Sequence, residues 1–211
     1  SVKTAAKGIV LDGASDNVIE GVLVRDIGGE GVHFRTHSSG NILRKSEVRD
    51  VGKSTPGMGE AVYVGSAVSN WGQYTNGKPD KSDENQILGN KLGPNVGAEL
   101  IDIKEGTTGT LVQGNTFDGA GMSGDNYADS WMDVKGNNAR ITGNTGTNAL
   151  KDGFQTHVAA PGWGQGNVFR SNIVKVKSSG YGFSVTSGNK VYCDNTVQEA
   201  GKGFANVACT K

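Results

Sequence analysis

The sequence predicts an all-β chain wound as a right-handed single-stranded parallel β-helix of about seven coils. The first observation is self-similarity, because short strands with period-two alternation recur at intervals of about twenty residues or somewhat more. The second is that further short strands follow in each unit, usually after a Gly-Asn or Asn step. The third is composition, since 34 Gly against 4 Pro indicates a turn-dense chain that still folds.

The first strand of each unit aligns with its equivalents in seven segments. These are 8–12, 31–35, 61–65, 100–104, 131–135, 153–157 and 182–186. Second strands follow at 17–19, 41–43, 85–88, 110–112, 138–141, 167–169 and 189–191, and third strands at 89–92, 114–117, 143–145, 171–174 and 194–197. Units this short bury an apolar face only by stacking, which pairs each backbone with the coils above and below.

The asparagines at the bends suit such a stack. An Asn amide bonds the backbone across a tight turn and tolerates the left-handed conformation, so we expect a structural ladder of Asn side chains. A β-propeller is the second fold considered, but its blades need about 40 residues or more. The chain is expected to be a single domain, 1–211. It begins almost directly in a coil, which predicts that an N-terminal cap is lacking here or supplied by a partner.

Charge and cysteine content limit the partners and the cellular location that the sequence predicts. The formal net charge is zero and no apolar run approaches the roughly 18 residues of a membrane span, so neither nucleic acid nor a membrane is an expected partner. Oligomeric state is left open. Cys193 and Cys209 are expected to form a disulfide at the C-terminal end, which indicates a secreted protein, with two buried free thiols as the alternative.

The register of the first strands defines two outward columns of side chains. The first column reads Val10, His33, Tyr63, Asp102, Asp133, Gln155, Ser184, and the second reads Asp12, Arg35, Gly65, Lys104, Lys135, His157, Thr186. Neighbouring coils lie about 4.8 Å apart, so the two aspartates and two lysines meet in mid-column, with the histidines, Arg35 and Tyr63 at the edges. This cluster is a candidate active site. The alternative is an ordinary polar surface whose charges neutralise one another.

Two insertions leave the same edge of this predicted sheet. Segment 66–84 contains Trp71 and Tyr74, and segment 158–164 contains Trp163. We expect these loops to form the walls of a groove in which the aromatic rings stack on sugars, with packing against the body as the alternative for each Trp. A third insertion, 119–128, contains Tyr127.

A column of carboxylates precedes the same strands. Glu30, Glu60, Glu99 and Asp152 align there, and stacked carboxylates repel one another unless a cation lies among them. Calcium accepts several carboxylate oxygens in loose geometry, so Glu99, Glu60 and Glu30 are candidate Ca²⁺ ligands. Neutralisation by neighbouring lysines is the alternative.

The segment Glu99-Leu100-Ile101-Asp102-Ile103-Lys104, followed by Gly114-Asn115-Thr116-Phe117, resembles polysaccharide lyase family 6, the alginate lyase and chondroitinase B type. The chain as a whole resembles extracellular, pectin-lyase-like β-helix proteins. The family 6 resemblance implies that Glu99 binds calcium and that Lys104 is the catalytic base. The family's arginine, in an Arg-His-Gly step, falls near Val134-Lys135-Gly136, where Lys135 stands instead.

A lyase that cleaves a uronate-containing polysaccharide by β-elimination is the favoured function. Lys135 is expected to lower the pKa of Lys104 by like charge, Arg35, Lys135 or calcium to neutralise the substrate carboxylate, and Tyr63 or His157 to protonate the leaving oxygen. His33 and Gln155 would contact the polysaccharide. Two alternatives stay open: a glycoside hydrolase using Asp102 and Asp133, whose carboxyl groups would lie about 5 Å apart, and a non-catalytic, glycan-binding or cell-surface β-helix.

Overall fold

The predicted parallel β-helix is confirmed by the computed structural model, which describes all 211 residues. It contains 23 strands in three parallel sheets, and most coils contribute one strand to each sheet. The two larger sheets have eight strands, so the helix has eight coils rather than seven. The coil that the sequence analysis did not count ends in the strand Gly203–Ala205.

Each sheet collects every third strand. Sheet 1 contains β1 (Val2–Ala5), β4 (Leu23–Ile27), β7 (Glu47–Arg49), β10 (Lys91–Leu92), β13 (Thr116–Asp118), β16 (Thr145–Thr147), β19 (Ile173–Ser178) and β22 (Thr196–Ala200). Sheet 2 contains β2 (Ile9–Asp12), β5 (Val32–Arg35), β8 (Val62–Val64), β11 (Ile101–Ile103), β14 (Ser130–Val134), β17 (Asp152–Thr156), β20 (Tyr181–Ser184) and β23 (Gly203–Ala205). Sheet 3 contains β3 (Val18–Glu20), β6 (Ile42–Arg44), β9 (Gln86–Leu88), β12 (Leu111–Gln113), β15 (Arg140–Thr142), β18 (Val168–Arg170) and β21 (Lys190–Val191).

Helical turns occur only in the loops beside sheet 2. There are three 3-10 turns, Pro56–Met58, Val68–Asn70 and Asp125–Tyr127, and one α-helical turn, Trp71–Tyr74. None of these is long or apolar enough to cross a membrane.

The strand register of sheet 2 matches the predicted columns. Ile101 pairs with Val62 on one side and Met132 on the other, and Asp102 lies between Tyr63 and Asp133 in the same register. The inward residues form one continuous core of 32 buried side chains. Because side chains alternate along a strand, this register fixes which residues form the outer face.

Aromatic rings pack together in the C-terminal half of the core. Trp131 is fully buried at the corner between sheets 1 and 2, and its indole N–H donates to the carbonyl oxygen of Thr147. A Cβ at Gly146 would lie 2.4 Å from the Trp131 ring, so only glycine fits opposite it. Phe154 and Phe183 stack in successive coils with ring centroids 5.2 Å apart.

The expected asparagine ladder forms at the bend that leads into sheet 1. It runs through Asn90, Asn115, Asn144, Asn172 and Asn195. From Asn115 onward, each side-chain oxygen accepts hydrogen bonds from the backbone and side-chain nitrogens of the Asn in the preceding coil, and that of Asn90 accepts the backbone N–H of Ser46. The backbone groups that the sharp bend leaves without strand partners are thereby satisfied in the buried interior.

The disulfide between Cys193 and Cys209 is present and joins the last two turns of the chain. It closes a segment with a sequence separation of 16 residues. No free cysteine remains.

Candidate functional site

The outer face of sheet 2 forms a recessed floor. Tyr63, Asp102, Asp133 and Gln155 occupy one column there, in register from β8 to β17. We expected them to face solvent, but each is less than a tenth exposed. The reason is that loops rise on both sides of the strands and shield the floor, which the alternation pattern alone does not reveal.

One wall of the groove precedes the strands. The turns Pro56–Met58 and Asp125–Tyr127 pack against each other there. The Asn126 side-chain amide donates to the carbonyl oxygen of Gly57 at 3.0 Å, although 69 residues separate them in sequence. The wall therefore spans neighbouring coils as one continuous structure.

The opposite wall follows the strands and is anchored by Asp80. This carboxylate is fully buried and accepts hydrogen bonds from the backbone N–H groups of Thr36 and His37 and from the hydroxyls of Ser66 and Ser82. Four hydrogen bonds to one buried carboxylate hold segment 66–84 against the turn of an earlier coil.

Between the walls lie two adjoining cavities. The larger has a volume of about 540 Å³ and the smaller about 230 Å³. Glu60, Lys104 and Asn126 border both, so the cavities form one groove that crosses the strands. The larger cavity is lined by Glu60, Glu99, Asp102, Lys104, Asn126, Tyr127, Asp129, Asp133, Lys135, Lys151, Gln155 and His157.

Both lysines converge on Asp102 in the floor. Lys104 Nζ lies 2.5 Å from Asp102 Oδ2, and Lys135 Nζ lies 2.9 Å from Asp102 Oδ1 and 3.1 Å from Asp133 Oδ2. Lys104 Nζ also lies 5.0 Å from the centre of the Tyr63 ring. The predicted cluster of two lysines and two aspartates is thus assembled, with Tyr63 beside it.

The pKa of Lys104 is raised, whereas we expected Lys135 to lower it. Burial by itself favours the neutral amine, but the charge and hydrogen bond of Asp102, together with Glu60, outweigh it. The pKa of Lys135 is raised as well, since Asp102 and Asp133 outweigh its burial. Both lysines are therefore ammonium ions, because the attraction of the adjacent carboxylates outweighs the repulsion between the two lysines and the cost of burial.

Asp133 is held ionised. Burial by itself raises the pKa of this carboxyl, but a hydrogen bond from His157 and the charge of Lys135 bring the pKa below its usual range. His157 Nε2 lies 3.4 Å from Asp133 Oδ2 and 2.8 Å from Gln155 Oε1. A carboxyl with so low a pKa cannot serve as the acid that a glycoside hydrolase requires.

Three carboxylates gather beside the lysines. Ligand atoms of Glu60, Glu99 and Asp102 lie within 4.8 Å of one another, so this buried acidic cluster could bind a metal ion. Burial and the negative charge of Asp102 raise the pKa of Glu60 to about 7 and that of Glu99 to about 9. Glu30, the third predicted ligand, lies outside this cluster, where it lines the smaller cavity and pairs with Lys7 at 2.6 Å.

His33 closes the other end of the floor as a neutral imidazole. Its Nε2 lies 2.9 Å from the carbonyl oxygen of Gly65, and its ring meets Tyr63 edge to face at 4.5 Å. Burial lowers the pKa of His33 to about 4, although Glu30 is 3.8 Å away and opposes the shift. We infer that His33 orients Tyr63 rather than carrying charge.

Burial of neutral His33 predicts a pH-dependent loss of stability. The unfolded state takes up a proton near the ordinary histidine pKa of 6.5, while the folded state does so only near 4. Stability is therefore fully present above about pH 6.5 and falls as the pH approaches 4, by about 3 kcal/mol. Urea unfolding of wild type and His33→Gln at pH 7.5 and 4.5 measures this. Equal losses in both proteins would contradict the prediction.

The aromatic and arginine predictions need correction. Trp71 packs over Gly106 and donates its indole N–H to the carbonyl oxygen of Ser66, and neither Trp71 nor Trp163 lines the groove. Tyr74 does line the smaller cavity. Arg35 stacks on Tyr74 at 4.4 Å and pairs with Asp12 at 2.8 Å, so its charge is already neutralised away from the lysines.

Four residues of the larger cavity escaped prediction as site residues. They are Asn126, Tyr127, Asp129 and Lys151. Three of them lie in or next to the insertion before β14, whose course over the floor the sequence pattern does not show, and Lys151 lies in the turn before β17.

Comparison with known proteins decides the family. No protein-family profile matches the chain, and no curated protein sequence matches it. Among solved structures, it is similar to the crystal structure of an alginate lyase from Paenibacillus sp. str. FPU-7, with 41% sequence identity and a TM-score of 0.90. The similarity covers 98% of this chain and 71% of the other. The chain belongs to the parallel β-helix polysaccharide lyases.

Membership confirms the predicted class of enzyme. The chain is a polysaccharide lyase, and nothing supports the glycoside hydrolase or the non-catalytic alternative. The groove on sheet 2 is a cavity into which several buried charged groups converge, which is the usual character of an active site.

Proposed function

We propose that the lyase cleaves an alginate-type polyuronate by β-elimination, with Lys104, Lys135 and Tyr63 as its central residues. The observation that carries this proposal is the convergence of two lysines on one recessed floor beside a tyrosine. The similar structure is that of an alginate lyase, which supports a polyuronate as the substrate class.

In this reaction a base removes the proton on the carbon beside the uronate carboxylate, and the bond to the glycosidic oxygen breaks. The products are an unsaturated uronate and a new free hydroxyl. Lys104 is the proposed base, because it lines both cavities and so lies where they meet. It must first lose the proton that Asp102 stabilises, so we expect turnover to increase above neutral pH.

Lys135 is the proposed partner of the substrate carboxylate. Its ammonium group is held between Asp102 and Asp133, which fixes its position as negative charge develops on the substrate. Arg35 is excluded from this role because it lies outside both cavities and is paired with Asp12.

Tyr63 is the proposed acid for the leaving oxygen. Burial and the charge of Asp102 raise its pKa, so the phenol keeps its proton and can donate it. His157, the other candidate, lies farther along the floor and already contacts Gln155 and Asp133.

We further propose that Glu60, Glu99 and Asp102 hold a calcium ion. Burial and the charge of Asp102 raise the pKa of Glu60 to about 7 and that of Glu99 to about 9, so both carboxyls resist ionisation unless a cation is bound, and Glu60 Oε2 is buried without a hydrogen-bond partner. A divalent cation would stabilise the ionised carboxylates and would give the buried Glu60 oxygen a partner. When bound, it would supply positive charge toward the substrate carboxylate.

Calcium is therefore expected to stabilise the folded enzyme. At one hundred times its dissociation constant, a ligand specific for the folded state contributes about 2.7 kcal/mol. For a chain of this size, that corresponds to an increase in Tm of about 5–10 °C. Differential scanning calorimetry with calcium and with a chelator measures it, and Glu60→Gln with Glu99→Gln should abolish the shift. If calcium changes neither Tm nor turnover, the proposed calcium site is wrong.

The substrate is tested with a panel of uronate and neutral polysaccharides, following unsaturated-uronate absorbance and new reducing ends together. We expect both signals to rise on polyuronates, alginate among them. Reducing ends without absorbance would indicate hydrolysis and overturn the proposal.

The Cys193–Cys209 disulfide supports secretion, because such bonds persist in oxidising compartments. An extracellular location suits an enzyme whose substrate is a polymer. Recovery of activity from the culture medium of the producing cells would test it.

A further inference from the structure

The loop tip at Asn126 and Tyr127 has a feature that packing does not explain. Tyr127 is 89% exposed, the highest value among the large hydrophobic side chains that the surface carries, yet it lines the larger cavity. An exposed aromatic ring in a charged groove has no stabilising partner within the protein.

The backbone at this tip is strained. Asn126 and Tyr127 both adopt the left-handed region, with φ of 55° and 63°. Asparagine tolerates this conformation, but a bulky aromatic residue adopts it rarely and at a cost in conformational free energy. Such strain persists only when surrounding contacts enforce it.

Two of those contacts reach earlier coils, and a third lies within the tip itself. The Asn126 amide donates to the carbonyl oxygen of Gly57, and Ser123 donates its hydroxyl to the carbonyl oxygen of Gly97 at 2.7 Å. The hydroxyl of Ser123 also accepts the backbone N–H of Asp125. The tip is thus tied to two earlier coils, while the Tyr127 ring next to these contacts stays exposed at the edge of the larger cavity.

We propose that Tyr127 is a sugar-stacking residue, which binds the apolar face of a uronate ring in the larger cavity next to the lysines. This inference rests on the proposed function and adds a binding residue to it. A sugar ring offers C–H groups on its face, and an aromatic ring packs against them without competing for the carboxylate that Lys135 binds.

The substrate would therefore be recognised in two ways, by charge at the floor and by stacking at the wall. Lys135 would bind the carboxylate of the polymer from the floor, while Tyr127 covers the sugar ring from the wall. The bound sugar would lie between the two, so its orientation over the base is fixed from both sides.

The test compares Tyr127→Ala with Tyr127→Phe in steady-state kinetics on a polyuronate that the wild type cleaves. We expect Tyr127→Ala to raise KM about tenfold with a much smaller change in kcat, and Tyr127→Phe to retain the wild-type KM, because the ring and not the hydroxyl binds. Tm should be unchanged in both variants, since the side chain is exposed.

Ile173→Ala is the matched control. Ile173 is a 53% exposed hydrophobic residue on the outer face of sheet 1, away from the groove, so its KM should remain that of the wild type. A wild-type KM in Tyr127→Ala overturns the proposal, and so does an equal loss in Tyr127→Phe. Failure of the proposed function is distinguishable, because then the wild type itself cleaves no polyuronate.

Discussion

Replacing Lys104 by arginine should lower kcat by about two to four orders of magnitude without unfolding the enzyme. Arginine keeps the positive charge beside Asp102 and can satisfy the buried carboxylate, but a guanidinium does not deprotonate at accessible pH. General base catalysis contributes about 10²–10⁴ in rate, and this variant removes it alone. Initial rates of unsaturated-uronate absorbance measure the loss.

Lys135→Arg provides the matched control. Its proposed role is charge toward the substrate carboxylate, which arginine preserves, so we expect its rate to stay within about tenfold of the wild type. If Lys104→Arg turned over as fast as Lys135→Arg, Lys104 would not be the base. The base would then have to be sought at Tyr63, through Tyr63→Phe.

The second large effect concerns stability. Asn144→Ala should destabilise the fold by about 2–4 kcal/mol, because Asn144 is fully buried in the ladder. Its side-chain oxygen accepts hydrogen bonds from the backbone and side-chain nitrogens of Asn115, and its amide donates to Val112 and Asn172. Alanine leaves the Asn115 backbone N–H buried without an acceptor.

Thermal unfolding should show the loss as a fall in Tm of about 5–15 °C. Asn17→Ala is the control, since Asn17 makes similar hydrogen bonds at the bend before sheet 3 but is exposed, so water replaces the lost partners. An Asn144→Ala variant with the wild-type Tm would mean that the ladder is not a source of stability.

The fold and the floor of the site followed from the sequence because both depend on strand alternation. Once Ile101 was placed inward, Asp102 had to face outward beside Tyr63 and Asp133, and the structure has this register. The periodicity of a strand determines which face of the sheet each side chain occupies, but it does not determine the distances between side-chain atoms.

The remaining features depend on distance and on loop conformation. The raised pKa of Lys104 follows from a 2.5 Å contact with Asp102, which alignment of columns could not distinguish from a closer approach to Lys135. Likewise, Trp71 and Tyr127 both stand in insertions beside the sheet, but one packs over Gly106 and the other projects into the groove. Composition does not determine which way a loop turns.

The buried Asp80 attaches one wall to an earlier coil and the Asn126 contact joins the two turns of the other wall, while the lysines and aspartates lie on or directly after the strands. Chemistry and selectivity therefore reside in parts of the chain that can change independently during evolution. A loop can lengthen, shorten or exchange its aromatic residue at the bend of one coil without disturbing the register of the next. One scaffold could in this way acquire new polymers as substrates while its reaction stays the same.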